Sequence, residues 1–583
     1  MRAKVILGIS AYYHDSAAAL LVDGKLTAAV QEERFSRLKH DPAFPVASIR
    51  YCLSQTNIPL EQFNAVVFYD KPFLTFDRLF ESYMSFAPKG LRSFIQRMPV
   101  WLKEKLLLKK TLRKQLAQIG GCPINILPPL LFTEHHQSHA ASAFYPSPFS
   151  EAVVLCMDGV GEWATTSAWI GNDNQLKPLW QINFPDSLGL LYSAFTYFCG
   201  FKVNSGEYKL MGLAPYGKPV YQEIIESRLI TIKADGSFKL DMQFFDYIVG
   251  EQMTNTKFAS LFDGPQRQPE SAITQRECDL AASIQAVTEK IVLKLAKTLK
   301  TETGCNNLCL AGGVALNCVA NGKLTSSGLF EGIWIQPAAG DAGGAVGAAY
   351  TAWFSYFENS RFTDFRGSMS NSYLGPEFRS HEIDVFLKQQ RAVFTTFEDK
   401  ELVDETARLI STGNVIGWFQ GQMEFGPRAL GHRSILADPT NPNMQSHLNR
   451  KIKFRESFRP FAPSVTEEQA QQYFSFTDDQ PLTSSPYMLA VANIQNKWLL
   501  NHDQPDTPDG IKQIHAIRSK LPAITHVDNT ARVQTVNAKE NPRYHALLKA
   551  FEKISGFPVL INTSFNIRGE PIVCSPEDAW RCF

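Results

Sequence analysis

Residues 4–30 and 151–177 follow one plan, and this repetition narrows the folds open to the chain more than any other feature. The first segment runs Lys4-Val-Ile-Leu-Gly-Ile-Ser10, a polar turn holding His14-Asp15, Ser16-Ala-Ala-Ala-Leu-Leu-Val22, an Asp23-Gly24 turn and a further strand. The second runs Glu151-Ala-Val-Val-Leu-Cys-Met157, the turn Asp158-Gly159-Val160-Gly161, Thr165-Thr-Ser-Ala-Trp-Ile170 and a second turn at Gly171-Asn172-Asp173-Asn174. Short apolar runs bounded by Gly/Asp turns predict strands joined by hairpins. Two unrelated hairpins in a large α/β protein would leave the same trace, so the remaining chain has to separate duplication from coincidence.

A strand, a Gly/Asp turn and a returning strand, used twice, is how duplicated actin-like ATPase domains hold a nucleotide between related halves. Residues 306–350 supply the later part of such a fold. Asn307-Leu-Cys-Leu310 reads as a buried strand, followed by Ala311-Gly312-Gly313-Val-Ala-Leu-Asn317, where the glycine pair lets backbone approach a ligand before a helix. Gly332-Ile-Trp-Ile335 leads in turn to a Gly/Ala-rich helix with Asp341 at its strand-to-helix turn. A structural role for the glycines explains either turn taken singly. His135 and His139 stand four apart in Glu134-His-His-Gln-Ser-His-Ala-Ala-Ser-Ala-Phe144, so both imidazoles share one helical face and suit one metal ion. A pair of satisfied structural histidines is the alternative. The general base of an H-E-x-x-H protease is missing, because His136 and Gln137 follow His135.

At 583 residues the chain predicts two to four domains, and 44% hydrophobic with 20% charged residues describes a globular protein. Its net charge of +1 argues against a broad nucleic-acid surface. No apolar run reaches the ~20 residues that span a bilayer, and His14 and Asp15 interrupt any signal-peptide core. Ten scattered cysteines fit reduced thiols in a cytoplasmic protein. Residues 89–116 are locally different: Lys89, Arg92, Arg97, Lys103, Lys105, Lys109, Lys110, Arg113 and Lys114 face only Glu104, with Leu102, Leu106, Leu107 and Leu112 interleaved. This reads as a basic amphipathic helix inside an insertion at about 75–125, either a solvated element packed by its leucines or a surface for a membrane or anionic substrate.

The domain reading is 1–360 for the actin-like part, a turn-rich linker at 361–380, and 381–583 for a second unit with β-like Ala392–Thr396, a helix near 399–412 and a strand at Val415–Phe419. That unit concentrates cations. Gly426-Pro-Arg428-Ala-Leu-Gly-His432-Arg433-Ser434 is followed by Arg450, Lys451, Lys453, Arg455 and Arg459. In an extended chain Lys451, Lys453 and Arg455 share a face, which favours a small phosphorylated ligand. Asn562-Thr-Ser564-Phe-Asn566 adds neutral donors at a strand end, with ordinary turn formation as the alternative.

Together these motifs resemble the O-carbamoyltransferase family that includes the nodulation-factor, cephem and tobramycin carbamoyltransferases. The resemblance lies in Gly8–Ala18 with His14, Gln31–His40, His135–Phe144, Met157–Gly159, Lys209-Leu-Met-Gly-Leu-Ala-Pro-Tyr-Gly217, Gly312–Asn317, Gly426–Ser434 and Asn562–Asn566. It implies an α/β protein with a duplicated actin-like ATPase domain followed by a YrdC-like domain. It further implies a divalent metal, iron in the first instance, on His135, His139, Asp158 and Asp341, with Mg2+ as a further candidate. Arg428, Lys453, Arg459, Arg532, Asn562 and Ser564 would hold carbamoyl phosphate and ATP as carbamoyladenylate forms. Lys39, Gly159, Gly312, Gly313 and Asn317 would hold the nucleotide in the first domain, with His14 as general base toward a hydroxyl-bearing small molecule or glycan. A homodimer stays open, as do a tRNA threonylcarbamoylation-type subunit and a non-catalytic actin-like nucleotide-binding protein. The chain stops at Phe583 just after a helix opens, where members of that family continue.

Overall fold

The structure, a computed structural model, describes residues 3–102, 106–364, 367–500 and 510–583. Lys103, Glu104 and Lys105 of the basic stretch lie outside the described residues. The described chain forms two compact units: 1–32, 40–316 and 328–369 make the first, and 33–39, 317–327 and 370–583 make the second.

The first unit contains the predicted repeat. Strands β1 (Val5–Ser10), β2 (Ala17–Val22), β3 (Lys25–Gln31), β4 (Ala65–Phe68) and β5 (Leu130–Phe132) form a sheet in the order β3-β2-β1-β4-β5. Strands β6 (Glu151–Met157), β7 (Ala164–Asn172) and β8 (Gln175–Asn183) begin the second sheet; β9 (Ile230–Ile232) and β10 (Phe238–Leu240) form a separate hairpin. With β11 (Asn307–Ala311) and β12 (Gly332–Ile335) the second sheet reads β8-β7-β6-β11-β12. The hands of pairing repeat as well as the order. β1 is antiparallel to β2 and parallel to β4, and β6 is antiparallel to β7 and parallel to β11. This duplicated sheet is the actin-like arrangement, and it excludes two chance hairpins.

In each half a helix follows the last strand. His135–Phe144 follows β5 and Ala342–Thr351 follows β12, and the two pack together. All ten residues of Ala342–Thr351 are buried, and so are nine of the ten in His135–Phe144. Their small side chains permit the close approach: a Cβ on Gly347 would collide with the Ser138 carbonyl oxygen.

The insertion differs from the single basic helix expected. It contains Pro72–Phe86, Leu91–Trp101 and Leu108–Gly120. Leu108, Leu112 and Leu116 seat the last helix, whereas Leu102, Leu106 and Leu107 are exposed.

The second unit is built on a mixed sheet. Strands β13 (Ile416–Phe419), β14 (Arg433–Ala437) and β15 (Ala462–Thr466) join β20 (Gln534–Val536) and β21 (Val559–Ser564) in the order β13-β14-β21-β15-β20. A smaller antiparallel sheet of β16 (Phe474–Thr477), β17 (Gln480–Pro481), β18 (Val491–Ile494) and β19 (Thr530–Arg532) reads β17-β16-β18-β19. The expected helix appears at Asp399–Ser411 and packs on Pro542–Ser555. Ala392–Thr396 forms no strand; Val393 is fully exposed there, so the apolar run has nothing to pack against.

Two short segments from earlier in the chain complete this unit. Arg34 donates to Gly426 O at 2.7 Å, and Arg37 donates to Ile572 O and Pro571 O at 2.7 and 2.8 Å. The Cys318–Ser326 helix is held by Asn321 Nδ2 donating to Leu489 O at 2.8 Å.

Candidate functional site

The duplication brings four ligand-bearing positions of the first unit together. His135 and His139 come from the helix after the first sheet, Asp341 from the start of the corresponding helix after the second, and Asp158 from the β6–β7 turn. His135 Nε2 and His139 Nε2 stand 3.0 Å apart, and Asp158 Oδ2 lies 2.9 and 3.6 Å from them. Asp341 Oδ1 is 3.8 Å from both imidazole nitrogens. Ligand atoms about 2.1 Å from one ion stand roughly 3.0–3.4 Å apart, so His135, His139 and Asp158 group as ligands of one cation, with Asp341 slightly farther out.

The electrostatics agree with that reading. Burial pushes the Asp341 carboxyl above its ordinary value, and its Oδ2 is buried without a hydrogen-bond partner. Burial opposes ionisation of Asp158 as well, but His136 and His135 overcome it and hold its pKa well down. For His135, burial is outweighed by Asp158 and Asp341, which raise its pKa to about 10; for His139, burial and the neighbouring His135 charge push it well below the ordinary range. The two imidazoles therefore compete for one proton, and a divalent ion relieves both that competition and the excess carboxylate charge. His135, His139, Asp158 and Asp341 are thus suited to hold a metal.

His14 reaches the same place from the β1–β2 turn, the counterpart of the Asp158 turn. Its Nε2 lies 3.7 Å from Asp341 Oδ2, and its Nδ1 lies 3.0 Å from Asp15 Oδ2. Asp15 also meets His40 Nδ1 at 2.8 Å. Burial would lower the His14 pKa, but Asp341 and the hydrogen bond to Asp15 raise it to about 9. Beside the cluster, Gly312 has φ +86°, and a Cβ there would collide with the Met157 carbonyl oxygen. Gly159, Gly312 and Gly313 belong to this unit, whereas Lys39 and Asn317 belong to the second. Asn317 Oδ1 caps the Cys318–Ser326 helix by accepting from Ala320 N at 3.0 Å.

Sequence reasoning missed three side chains of this site. His136 lies one residue from His135 and so points elsewhere; it takes Asp158 Oδ1 at 3.1 Å and Ser167 Oγ at 2.7 Å, fixing the carboxylate from behind. Glu162 replaces a local N-cap: it accepts from His135 N at 3.0 Å and from Lys71 N at 2.8 Å, while Glu134 makes no side-chain cap. An acid four residues after Asp158 in an otherwise small, apolar turn was the available signal for it. Arg78 is 8% exposed, its Nε is buried without a hydrogen-bond partner, and its guanidinium lies 5.1 Å from the Phe184 ring.

In the second unit the cations divide. Lys451, Lys453 and Arg455 do not share an extended face, because Leu448–Ile452 forms a π-helical turn. Lys451 is exposed, and Arg455 Nε donates to Asn449 Oδ1 at 2.7 Å. Lys453 is buried and donates to Asn566 O at 2.9 Å and to Ser564 O. Burial and the charges of Arg455 and Arg459 push its pKa well below the ordinary lysine value, so an incoming anion would restore its charge. Ser564 Oγ donates to Asn566 Oδ1 at 2.7 Å, and Asn562 Nδ2 donates to Gln534 Oε1 at 2.7 Å. Asn562 Oδ1 and Arg532 Nε are buried without hydrogen-bond partners. Arg428 is half-buried.

The other two groups of the Gly426–Ser434 segment are structural. Arg433 is fully buried, donates to Gln420 O at 2.7 Å and Pro376 O at 3.0 Å, and stacks 3.7 Å from the Phe419 ring. His432 stacks on Tyr373 with centroids 3.6 Å apart and donates from Nδ1 to Gln422 O at 2.6 Å; burial lowers its pKa to about 4.

Comparison with known proteins matches both units. The model of the carbamoyltransferase N-terminus matches residues 5–350, and that of the carbamoyltransferase C-terminus matches residues 407–583. The chain is 60% identical to uncharacterized protein sll1178 of Synechocystis sp., over 99% of this chain and 94% of that protein. It is 36% identical to nodulation protein NolNO of Sinorhizobium fredii, over 98% of this chain and 77% of that protein. The solved structure of T. kodakarensis HypF is a remote neighbour, at 13% identity and a TM-score of 0.29, covering 61% of this chain and 48% of that one.

Proposed function

Because the chain belongs to the carbamoyltransferase family, whose members are transferase enzymes, we propose that it is an ATP-dependent O-carbamoyltransferase working in two separate steps. In the first, water cleaves carbamoyl phosphate in the second unit to carbamate and phosphate, and the carbamate oxygen attacks the α-phosphorus of ATP to give carbamoyladenylate and pyrophosphate. Lys453, Arg459, Arg532 and Arg428 bind the phosphoryl groups, and Asn562 and Ser564 supply neutral contacts at the end of β21. The depressed pKa of Lys453 and the unpartnered Arg532 Nε support an anion there.

In the second step, in the first unit, the acceptor hydroxyl oxygen attacks the carbamoyl carbon and AMP leaves. His135, His139, Asp158 and Asp341 would hold a divalent metal, with iron assigned from the family resemblance, and it would supply Lewis-acid chemistry toward the donor phosphate. His14 accepts the proton of the attacking hydroxyl, while Asp15 fixes its ring through Nδ1. Asp341 and the hydrogen bond to Asp15 raise the proton affinity of His14 against the effect of burial. The Gly312-Gly313 turn offers backbone to the nucleotide. Making a reactive anhydride in one enclosed site and using it in another limits its loss to water.

The observation that carries this reading is the convergence of two imidazoles and two carboxylates at 2.9–3.8 Å, next to His14. Its test is incubation of the metal-loaded protein with ATP, carbamoyl phosphate and a panel of hydroxyl-bearing small molecules and glycans. Mass spectrometry should find an acceptor that gains one carbamoyl group only when both ATP and carbamoyl phosphate are present. Carbamoylation that proceeds without ATP would refute the two-step reading.

A further inference from the structure

The insertion of the first unit presents a surface that the transfer reaction does not explain. Met84, Leu91, Ile95, Val100, Leu102, Leu106 and Leu107 are 60, 58, 62, 49, 40, 45 and 50% exposed. Seven large apolar side chains exposed within 24 residues exceed the scattered exposure normal for a globular surface. The Leu91–Trp101 helix is seated by little: Ser93 is its one buried residue, bonded to Tyr83 Oη at 3.1 Å and to Val249 O at 2.9 Å. Leu91, Ile95 and Leu102 recur at helical spacing on its outward side.

Lys89, Arg92, Arg97, Lys109, Lys110 and Lys114 of the same stretch are exposed as well. Between residues 82 and 133 the sequence carries nine cations and a single acid, Glu104, in a chain whose total charge is +1. The Leu91, Ile95 and Leu102 face, with lysine and arginine beside it in sequence, suits an interface that is hydrocarbon below and anionic above. A second copy of the chain fits it poorly, because a twofold contact would set the same cations against each other.

We infer that the exposed Leu91, Ile95 and Leu102 face of the insertion is a docking surface for an anionic lipid membrane, with the apolar side chains entering the headgroup boundary and the exposed cations of the described stretch pairing with lipid phosphates. This interaction goes beyond the carbamoyl-transfer reading and does not depend on it. It would place the enzyme where amphiphilic hydroxyl acceptors concentrate.

The test is sedimentation of the full-length protein with vesicles of phosphatidylcholine alone and of phosphatidylcholine with about one-third phosphatidylglycerol. The protein should bind the anionic vesicles, and binding should fall steeply between low and high salt. Lys109→Gln with Lys110→Gln should weaken it by about fivefold per cation removed. Leu91→Asp with Ile95→Asp should abolish it while thermal unfolding stays unchanged, since both side chains are exposed. Absence of binding to anionic vesicles would overturn the inference, as would undiminished binding by the aspartate variant. A concentration-dependent dimer that Leu91→Asp with Ile95→Asp dissociates would assign the face to self-association instead.

Discussion

The polar clusters of the two units teach opposite lessons about charge in a sequence. The first unit buries two acids and three histidines in a segment of ordinary charge, and leaves Asp341 Oδ2, His139 Nδ1 and Arg78 Nε without hydrogen-bond partners. The second carries the denser run of cations, yet Arg433 is absorbed by backbone carbonyls and Arg455 by Asn449. Capacity for a ligand follows from buried groups left unsatisfied; abundance of charge does not measure it.

The largest effects should come from the unsatisfied cluster. Asp158→Ala or His139→Ala should remove the bound metal and cut carbamoyl transfer by at least about a thousandfold while leaving the protein folded, as metal analysis beside turnover and circular dichroism would show. If either variant retains a full equivalent of metal, the ligand assignment fails.

A sharper contrast lies within the second unit. Arg433→Met should cost about 3–5 kcal/mol of stability, because it strands buried carbonyls, whereas Arg532→Met should change stability by less than about 1 kcal/mol and abolish carbamoyl-phosphate-dependent AMP formation. Chemical denaturation of both variants separates them; equal destabilisation would merge the two roles.

His432 gives a pH test of the structural class. Its folded pKa of about 4 lies below the unfolded value near 6.5, so its contribution is complete above pH 6.5 and is lost as pH falls toward 4. At pH 5 the loss is about 2 kcal/mol, and His432→Phe, which keeps the stack on Tyr373, should flatten that part of the stability profile. An unchanged acid limb would show that His432 is not held neutral.

The smallest effect concerns the support behind Asp158. His136→Phe should weaken metal affinity by about 10–100-fold without removing a ligand, as competition against a chelator would measure. A change below twofold would make His136 a packing residue only.

The duplicated sheet was legible in the sequence because strand and turn patterns repeat locally, at Val5–Val22 and at Glu151–Asn172. His14 and Asp158 occupy turns that the repeated strands define, but their roles, like the membership of Asp341 in the ligand set, follow from the family resemblance and not from the pattern. His136 and Glu162 were not legible, since each acts on a partner 22 or 27 residues away whose position only the fold sets. The Lys451–Arg455 reading failed for a local reason: alternation was taken as strand where Leu448–Ile452 winds into a π turn and sends Lys451 outward and Lys453 inward. Ala392–Thr396 shows the same weakness, an apolar run without a partner strand. Lys39 and Asn317 illustrate a third limit, because neighbours in sequence do not reveal which compact unit a short segment joins.

The central claim is that donor activation and carbamoyl transfer use separate sets of residues. Its most direct test is 31P NMR of ATP and carbamoyl phosphate incubated with the protein and with its Asp158→Ala and Arg532→Met variants. The two-step assignment predicts phosphate and pyrophosphate from the wild type, their persistence with Asp158→Ala, and their loss with Arg532→Met. Formation of ADP, pyrophosphate produced without carbamoyl phosphate, or abolition of pyrophosphate release by Asp158→Ala would contradict it.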